Sequence, residues 1–159
     1  MERGRSVRSL PARWQAVLDD VEARRFQYSE ADRPPRARAG QFFSPMVTAR
    51  FMASMVGSVG KQVRLLDAGA GIGSLAAAAI ADLATRPGGP FAIRCTCFET
   101  DERVAAGLRA TLESCREAAD ASGIDLTFHV RDEDFVEAAV AALDTSLFAA
   151  ESIGCDVAI

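Results

Sequence analysis

The sequence predicts an α/β domain built on a parallel sheet, and three observations carry that reading. From residue 63 onward, short apolar runs alternate with longer segments of helical period, the pattern of strands joined by helical crossovers. A glycine-rich turn, Gly69, Gly71 and Gly73, separates the first apolar run from the helix that follows it. Of the 159 residues, 49% are hydrophobic and 25% charged, enough to fill one core and too apolar for a disordered chain.

Taken in order, residues 11–26 read as a helix. Pro11 suits a first helical turn, and Trp14, Val17, Leu18, Val21 and Ala23 recur at a rough 3.6 period. Residues 29–40, with Pro34-Pro35 among alternating arginines, read as a linker. Ser44 is the expected N-cap of a second helix with Pro45 at its first position. The expected apolar face of that helix runs through Val47, Phe51, Met52 and Met55, with its end near Gly57. Residues 63–66 form the first strand, and an alanine-rich helix covers 74–84. Pro87-Gly88-Gly89-Pro90 is a loop. The second strand spans 91–98, and Asp101 caps a helix running to about residue 121. The third strand spans 126–130, a helix spans 135–143, and a fourth strand begins at 155–159. The sheet expected is therefore incomplete, with about four strands and helices on its N-terminal side. Right-handed crossovers would place ligands at the carboxyl ends of its strands.

Charge is divided unevenly along the chain. Residues 1–39 hold nine Arg against six acidic side chains, whereas residues 40–159 hold nine basic against sixteen acidic ones. The first region is either an arm for nucleic-acid phosphate or a solvated segment. The four cysteines, at 95, 97, 115 and 155, have no second close pair or nearby histidine to complete a zinc set. They read as buried free thiols, and no metal is expected. His129, the one histidine, reads as a strand residue. The N-terminus lacks the apolar run of a signal peptide, and no stretch is long enough to span a membrane. A cytoplasmic protein is expected.

The candidate chemistry lies at Leu66-Asp67-Ala68-Gly69-Ala70-Gly71-Ile72-Gly73. Glycine lets the chain bend sharply and lets a ligand lie against bare backbone. The bend feeds a helix N-terminus, which carries about half a positive charge. Its spacing is G-x-G-x-G, one residue short of the dinucleotide fingerprint, which disfavours a nicotinamide binder. Asp67 would repel a pyrophosphate but would accept a hydrogen bond from an ammonium group. The ligand implied ends in an amino acid, as S-adenosylmethionine does. The alternative role for Asp67 is a helix cap.

Glu99, in Phe98-Glu99-Thr100-Asp101, falls 26 residues after Gly73, where such sheets place an acid on ribose hydroxyls. Asp134-Phe135 follows the third strand. There the acid would accept an adenine amine and the ring would cover its face, unless residues 132–134 are simply a solvated acidic turn.

With these residues in place, Gly40-Gln41-Phe42-Phe43-Ser44-Pro45, the Asp67–Gly73 turn, Glu99 and Asp134-Phe135 together resemble the N-terminal half of adenine-specific DNA N6-methyltransferases of the gamma motif order. The resemblance covers residues 38–159 and implies a Rossmann-like class I methyltransferase sheet. It implies that Phe42, Phe43 and Ser44 line the methionine end of S-adenosylmethionine. Asp67, Gly69 and Gly71 would cradle it, Glu99 beside Thr100 would hold the ribose, and Asp134 with Phe135 the adenine. Ser44 stands where the family more often has threonine. The family's Asn-Pro-Pro-Tyr-type catalytic motif follows the fourth strand, and the chain is expected to stop before it. It would then carry no catalytic residue and methylate nothing alone. The division expected is residues 1–39 as helix and basic linker and residues 40–159 as the cofactor domain.

The intact enzyme would act on DNA in restriction-modification or phage defence. The alternatives are a methyltransferase for protein or RNA, and a non-catalytic cofactor-binding regulatory module. An unpaired edge of the incomplete sheet would favour self-association.

Overall fold

A computed structural model describes residues 9–31, 43–144 and 154–159. Helices α1 (Ala12–Ala31) and α2 (Met46–Met55) come first. They are followed by β1 (Gln62–Asp67), α3 (Ser74–Ala84), β2 (Ala92–Phe98), α4 (Glu102–Asp120), β3 (Asp125–Arg131), α5 (Phe135–Asp144) and β4 (Val157–Ala158). The four strands form one parallel sheet in the order β3-β2-β1-β4. This is the Rossmann-like α/β fold expected from the alternating pattern.

Alternation along the strands decides which face is covered. Val63, Leu65, Asp67, Ile93, Cys95, Cys97 and Leu126 are buried, whereas Arg64, Arg94, Thr127 and His129, on the opposite face, are exposed. The covered face carries α1 to α4. α3 lies at their centre, with α1, α2 and α4 packed around it. Residues 76–81 of α3, five alanines and Ile80, are all buried. A helix buried on every side reads as apolar all round.

The first helix runs five residues beyond its expected end, through the start of the supposed linker. Ion pairs Arg24–Asp20 and Arg25–Glu22 lie along it. The Tyr28 hydroxyl donates to the Arg103 carbonyl at 3.1 Å. The Tyr28 ring also lies where a Cβ on Gly107 would be, 3.0 Å away, so glycine on α4 makes room for it. Trp14, Leu18 and Val21 join the main core, and Val17 packs against it, but Ala23 is exposed.

The second helix departs from expectation in two ways. Its cap position is Pro45, not Ser44, and no side chain of its own caps it. The Met46 amide is met instead by Glu22 Oε2 of α1 at 3.1 Å, a carboxylate at a helix N-terminus. The face is also reversed. Met46, Ala49 and Ala53 are buried, whereas Val47, Phe51, Met52 and Met55 face outward. Small residues let α2 approach the alanine-rich α3 closely, and the larger side chains are left on the outer surface. Arg86, just after α3, fixes the end of α2 by donating to the Gly57 and Val56 carbonyls at 2.6 and 2.9 Å.

Other boundaries shift little. α3 matches its expected range, β1 and β3 extend by a residue or two at each end, and β4 is shorter than expected, pairing only at Leu65–Val157 and Leu66–Ala158. Cys155 is exposed, contrary to its reading as buried; Cys95, Cys97 and Cys115 are buried free thiols. Asp101 caps α4 as expected, accepting from Arg103 N at 3.0 Å and Val104 N at 3.4 Å. Asp101→Ala is expected to lower stability by about 1 kcal/mol, read as the midpoint shift in urea unfolding. No helix among the described residues is long and apolar enough to cross a membrane.

Candidate functional site

The carboxyl ends of β1 and β2 set the site. Asp67 is level with Cys97 in the sheet register, so the bend after β1 and the loop after β2 leave the sheet side by side. The Ala70 amide donates to the Phe98 carbonyl at 2.9 Å, tying one to the other. Within the bend, Gly71 and Gly73 have φ of 55° and 86°, the left-handed region in which side-chain-bearing residues are strained. A Cβ on Gly71 would lie 2.9 Å from the Phe43 ring, and one on Gly73 would lie 2.9 Å from Leu108. At Gly69 a Cβ would meet nothing within 4 Å among the described residues.

Glu99 closes this cluster. Its Oε2 accepts the Gly71 amide at 3.0 Å and its Oε1 accepts the Asp101 amide at 2.8 Å. Each oxygen retains acceptor capacity for a further donor. Thus Phe43, Gly71 and Glu99, which come from three separate segments, meet at one point.

Asp67 lies beneath the bend and is 1% exposed. Its Oδ1 accepts the Gly69 amide at a long 3.5 Å, and Oδ2 has no hydrogen-bond partner among the described residues. Burial pushes the carboxyl up to about 7, against the pull of the Gly69 and Ala76 amides and with a smaller push from the Glu99 charge. Ser74, the first residue of α3, is also buried, and its hydroxyl has no partner either. Buried polar atoms are normally satisfied. Two such orphans flank one bend. In the sequence Ser74 reads only as a helix start. The signal available was a hydroxyl directly after the third glycine.

A second cluster forms at the end of β3. Asp134 Oδ1 accepts the Val136 and Glu137 amides at 2.8 and 3.0 Å, so it caps α5. Phe135 meets Phe98 edge-on with ring centroids 5.2 Å apart, and the Arg131 guanidinium lies 5.0 Å from the Phe98 ring centre. The Glu99 amide donates to the Arg131 carbonyl at 3.1 Å, which connects this cluster to the first. Phe98 and Arg131 were not foreseen as parts of the site. Thr100 is exposed on the loop after Glu99, and Ser44 is half-buried ahead of α2. Phe42 lies outside the described residues.

The buried thiols are poor nucleophile candidates. Contact with the Cys95 sulfur, 3.5 Å away, and burial push Cys97 well up, and burial pushes Cys115 up.

The fold and the bend define a Rossmann-like domain with three acids, Asp67, Glu99 and Asp134, at or just beyond the carboxyl ends of its strands and no pyrophosphate spacing. In sequence, the chain is similar to the Type II methyltransferase M.PstI of Providencia stuartii, with 30% identity over 134 residues. The match covers 84% of this chain and 26% of that protein, so the chain spans about a quarter of the relative's length. No family model matches the chain. The similarity relates the chain to a methyltransferase.

Proposed function

We propose that this chain is the S-adenosylmethionine-binding part of a DNA adenine N6-methyltransferase. The observation that carries the reading is the meeting of Phe43, Gly71 and Glu99 above Asp67, which retains an unpartnered buried oxygen. Those are the residues that a nucleoside joined to an amino acid requires. Glu99 accepts the ribose hydroxyls with its remaining lone pairs, and Asp67 receives the amino group. The Phe43 ring lies against the methionine end, with Ser44 beside it, and open backbone at Gly69 admits the chain of the ligand. Asp134 Oδ2, unlike the capping Oδ1, is left for the adenine amine, and Phe135 flanks the base. When bound, the cofactor supplies a sulfonium methyl for transfer.

Similarity to a Type II methyltransferase supports the methyltransferase class. Adenine in DNA as the target rests on the resemblance of Gly40-Gln41-Phe42-Phe43-Ser44-Pro45. A restriction-modification or phage-defence role in the cytoplasm follows from that target, and residues 40–159 are taken as the cofactor domain.

Calorimetric titration with S-adenosylhomocysteine tests the reading. The folded chain is expected to bind it, and absence of binding would refute the assignment. Glu99→Ala is expected to weaken binding tenfold or more, since one charge-assisted hydrogen bond is worth about 1.5–3 kcal/mol and about 1.4 kcal/mol is a factor of ten. Unchanged affinity would remove Glu99 from the ribose.

A further inference from the structure

The start of α2 is held from outside the helix. Pro45 stands at its cap position, and no side chain of its own caps it. The Met46 amide is one of the first-turn donors that a helix leaves unpaired, and it donates to Glu22 Oε2 of α1 at 3.1 Å. Glu22 is itself fixed. Arg25 grips both its oxygens, Nε on Oε2 and Nη2 on Oε1, each at 2.8 Å. The pair is partly buried, with the Arg25 side chain 13% and the Glu22 side chain 28% exposed. A forked, charge-assisted contact of this kind orders both side chains. The preceding residue, Val21, is buried in the main core, and α1 packs chiefly against α3 and α4. Glu22 thus joins a firmly rooted helix to a segment that α1 otherwise touches little.

Between the Met46 amide and the glycine-rich bend lies a short, stiff link. The Pro45 ring fixes its own φ, here −58°, and proline disfavours helical backbone at the preceding Ser44. An anchor at residue 46 therefore governs where residue 43 goes. Phe43 Cδ1 lies 2.9 Å from where a Cβ on Gly71 would be, and the Gly71 amide is bound to Glu99.

We propose that Glu22 is a positioning residue for the cofactor site, anchoring the Met46 amide so that the Ser44-Pro45 link sets the Phe43 ring against Gly71. It acts through Phe43 and not on the ligand. The inference rests on the reading of the bend as the site of S-adenosylmethionine, with Phe43 at its methionine end. Without the anchor the link swings about Met46, and each binding event has to order the ring again. The loss falls on ligands that reach Phe43 and spares those that do not.

The test compares the full chain with Glu22→Ala and Glu22→Gln, at a temperature where circular dichroism shows all three folded. Glu22→Ala is expected to weaken S-adenosylhomocysteine by about fivefold to tenfold, the cost of ordering one aromatic side chain with its backbone. Adenosine, which lacks the methionine end and is measured by competition, is expected to bind as it does to the parent chain. Glu22→Gln keeps an oxygen for the Met46 amide and is expected to restore most of the affinity. Hydrogen exchange at that amide should quicken in the alanine variant alone. An equal loss for both nucleosides would make Glu22 merely structural and overturn the proposal. Unchanged S-adenosylhomocysteine affinity in Glu22→Ala would overturn it too, while the cofactor reading stands. If the parent chain binds neither nucleoside, the cofactor reading falls and the proposal with it.

Discussion

Trp14→Ala is expected to lower the stability of the chain by about 3–5 kcal/mol, the usual cost of truncating a fully buried tryptophan. Trp14 is 1% exposed and heads the Trp14, Leu18, Val21 stripe by which α1 enters the core. Few polar contacts would hold α1 in its absence. Arg24 donates to Thr111 of α4 at 3.0 Å and Arg13 to the Ala121 carbonyl at 3.2 Å, and both are partly solvated. Loss of the indole should therefore loosen α1 and, through Glu22, the start of α2 that it caps. Phe43 precedes that start by three residues, so cofactor affinity should fall together with stability. Thermal unfolding is expected at a midpoint lower by about 6–20 °C. A change under 1 kcal/mol would mean that α1 is not docked as described.

Asp67→Asn is expected to act in the opposite direction on stability, and the effect should depend on pH. In the folded chain the carboxyl titrates at about 7, against an ordinary value of 3.8. Well below 3.8 it is neutral both folded and unfolded, so the substitution changes little. As pH rises from 4 to 7 the unfolded chain loses its proton before the folded chain does, and folding with Asp67 becomes progressively less favourable. Above 7 the fold carries a buried carboxylate with one unpartnered oxygen, and the full penalty applies. At about 1.4 kcal/mol per unit, asparagine should stabilise the unliganded protein by about 2–4 kcal/mol at pH 8. Urea unfolding of both forms at pH 5 and pH 8 checks this; a difference that does not grow with pH would contradict it. The same variant should bind S-adenosylhomocysteine more weakly.

Much of the fold was legible because it depends on local periodicity. The alanine run with a glycine before it defined α3 to the residue, and Asp101 marked the start of α4 because a short acid there satisfies free amides whatever surrounds it. The face of α2 was not legible. Val47, Phe51, Met52 and Met55 make the more hydrophobic stripe, yet Ala49 and Ala53 make the one that fits against α3. Hydrophobicity ranks faces by transfer free energy, whereas close helix packing also selects by size. For α1, the stop at residue 26 failed because Tyr28 is held by Gly107, a residue of a helix far along the chain.

The candidate site divides along the same line. By itself the sequence determined that a bend rich in glycine follows a strand ending in Asp67, and that acids stand after the next two strands at Glu99 and Asp134. These follow from residue type and spacing, which fix backbone freedom and charge locally. Only the tertiary structure decided which of them meet. It joined Glu99 to the Gly71 amide, set the Phe43 ring against the same glycine, and committed one oxygen of Asp134 to capping α5. It also left Asp67 Oδ2 and Ser74 Oγ buried without partners. The reason is that burial and hydrogen-bond satisfaction are properties of all the segments that surround an atom, and these segments are brought together only when the sheet and its helices close.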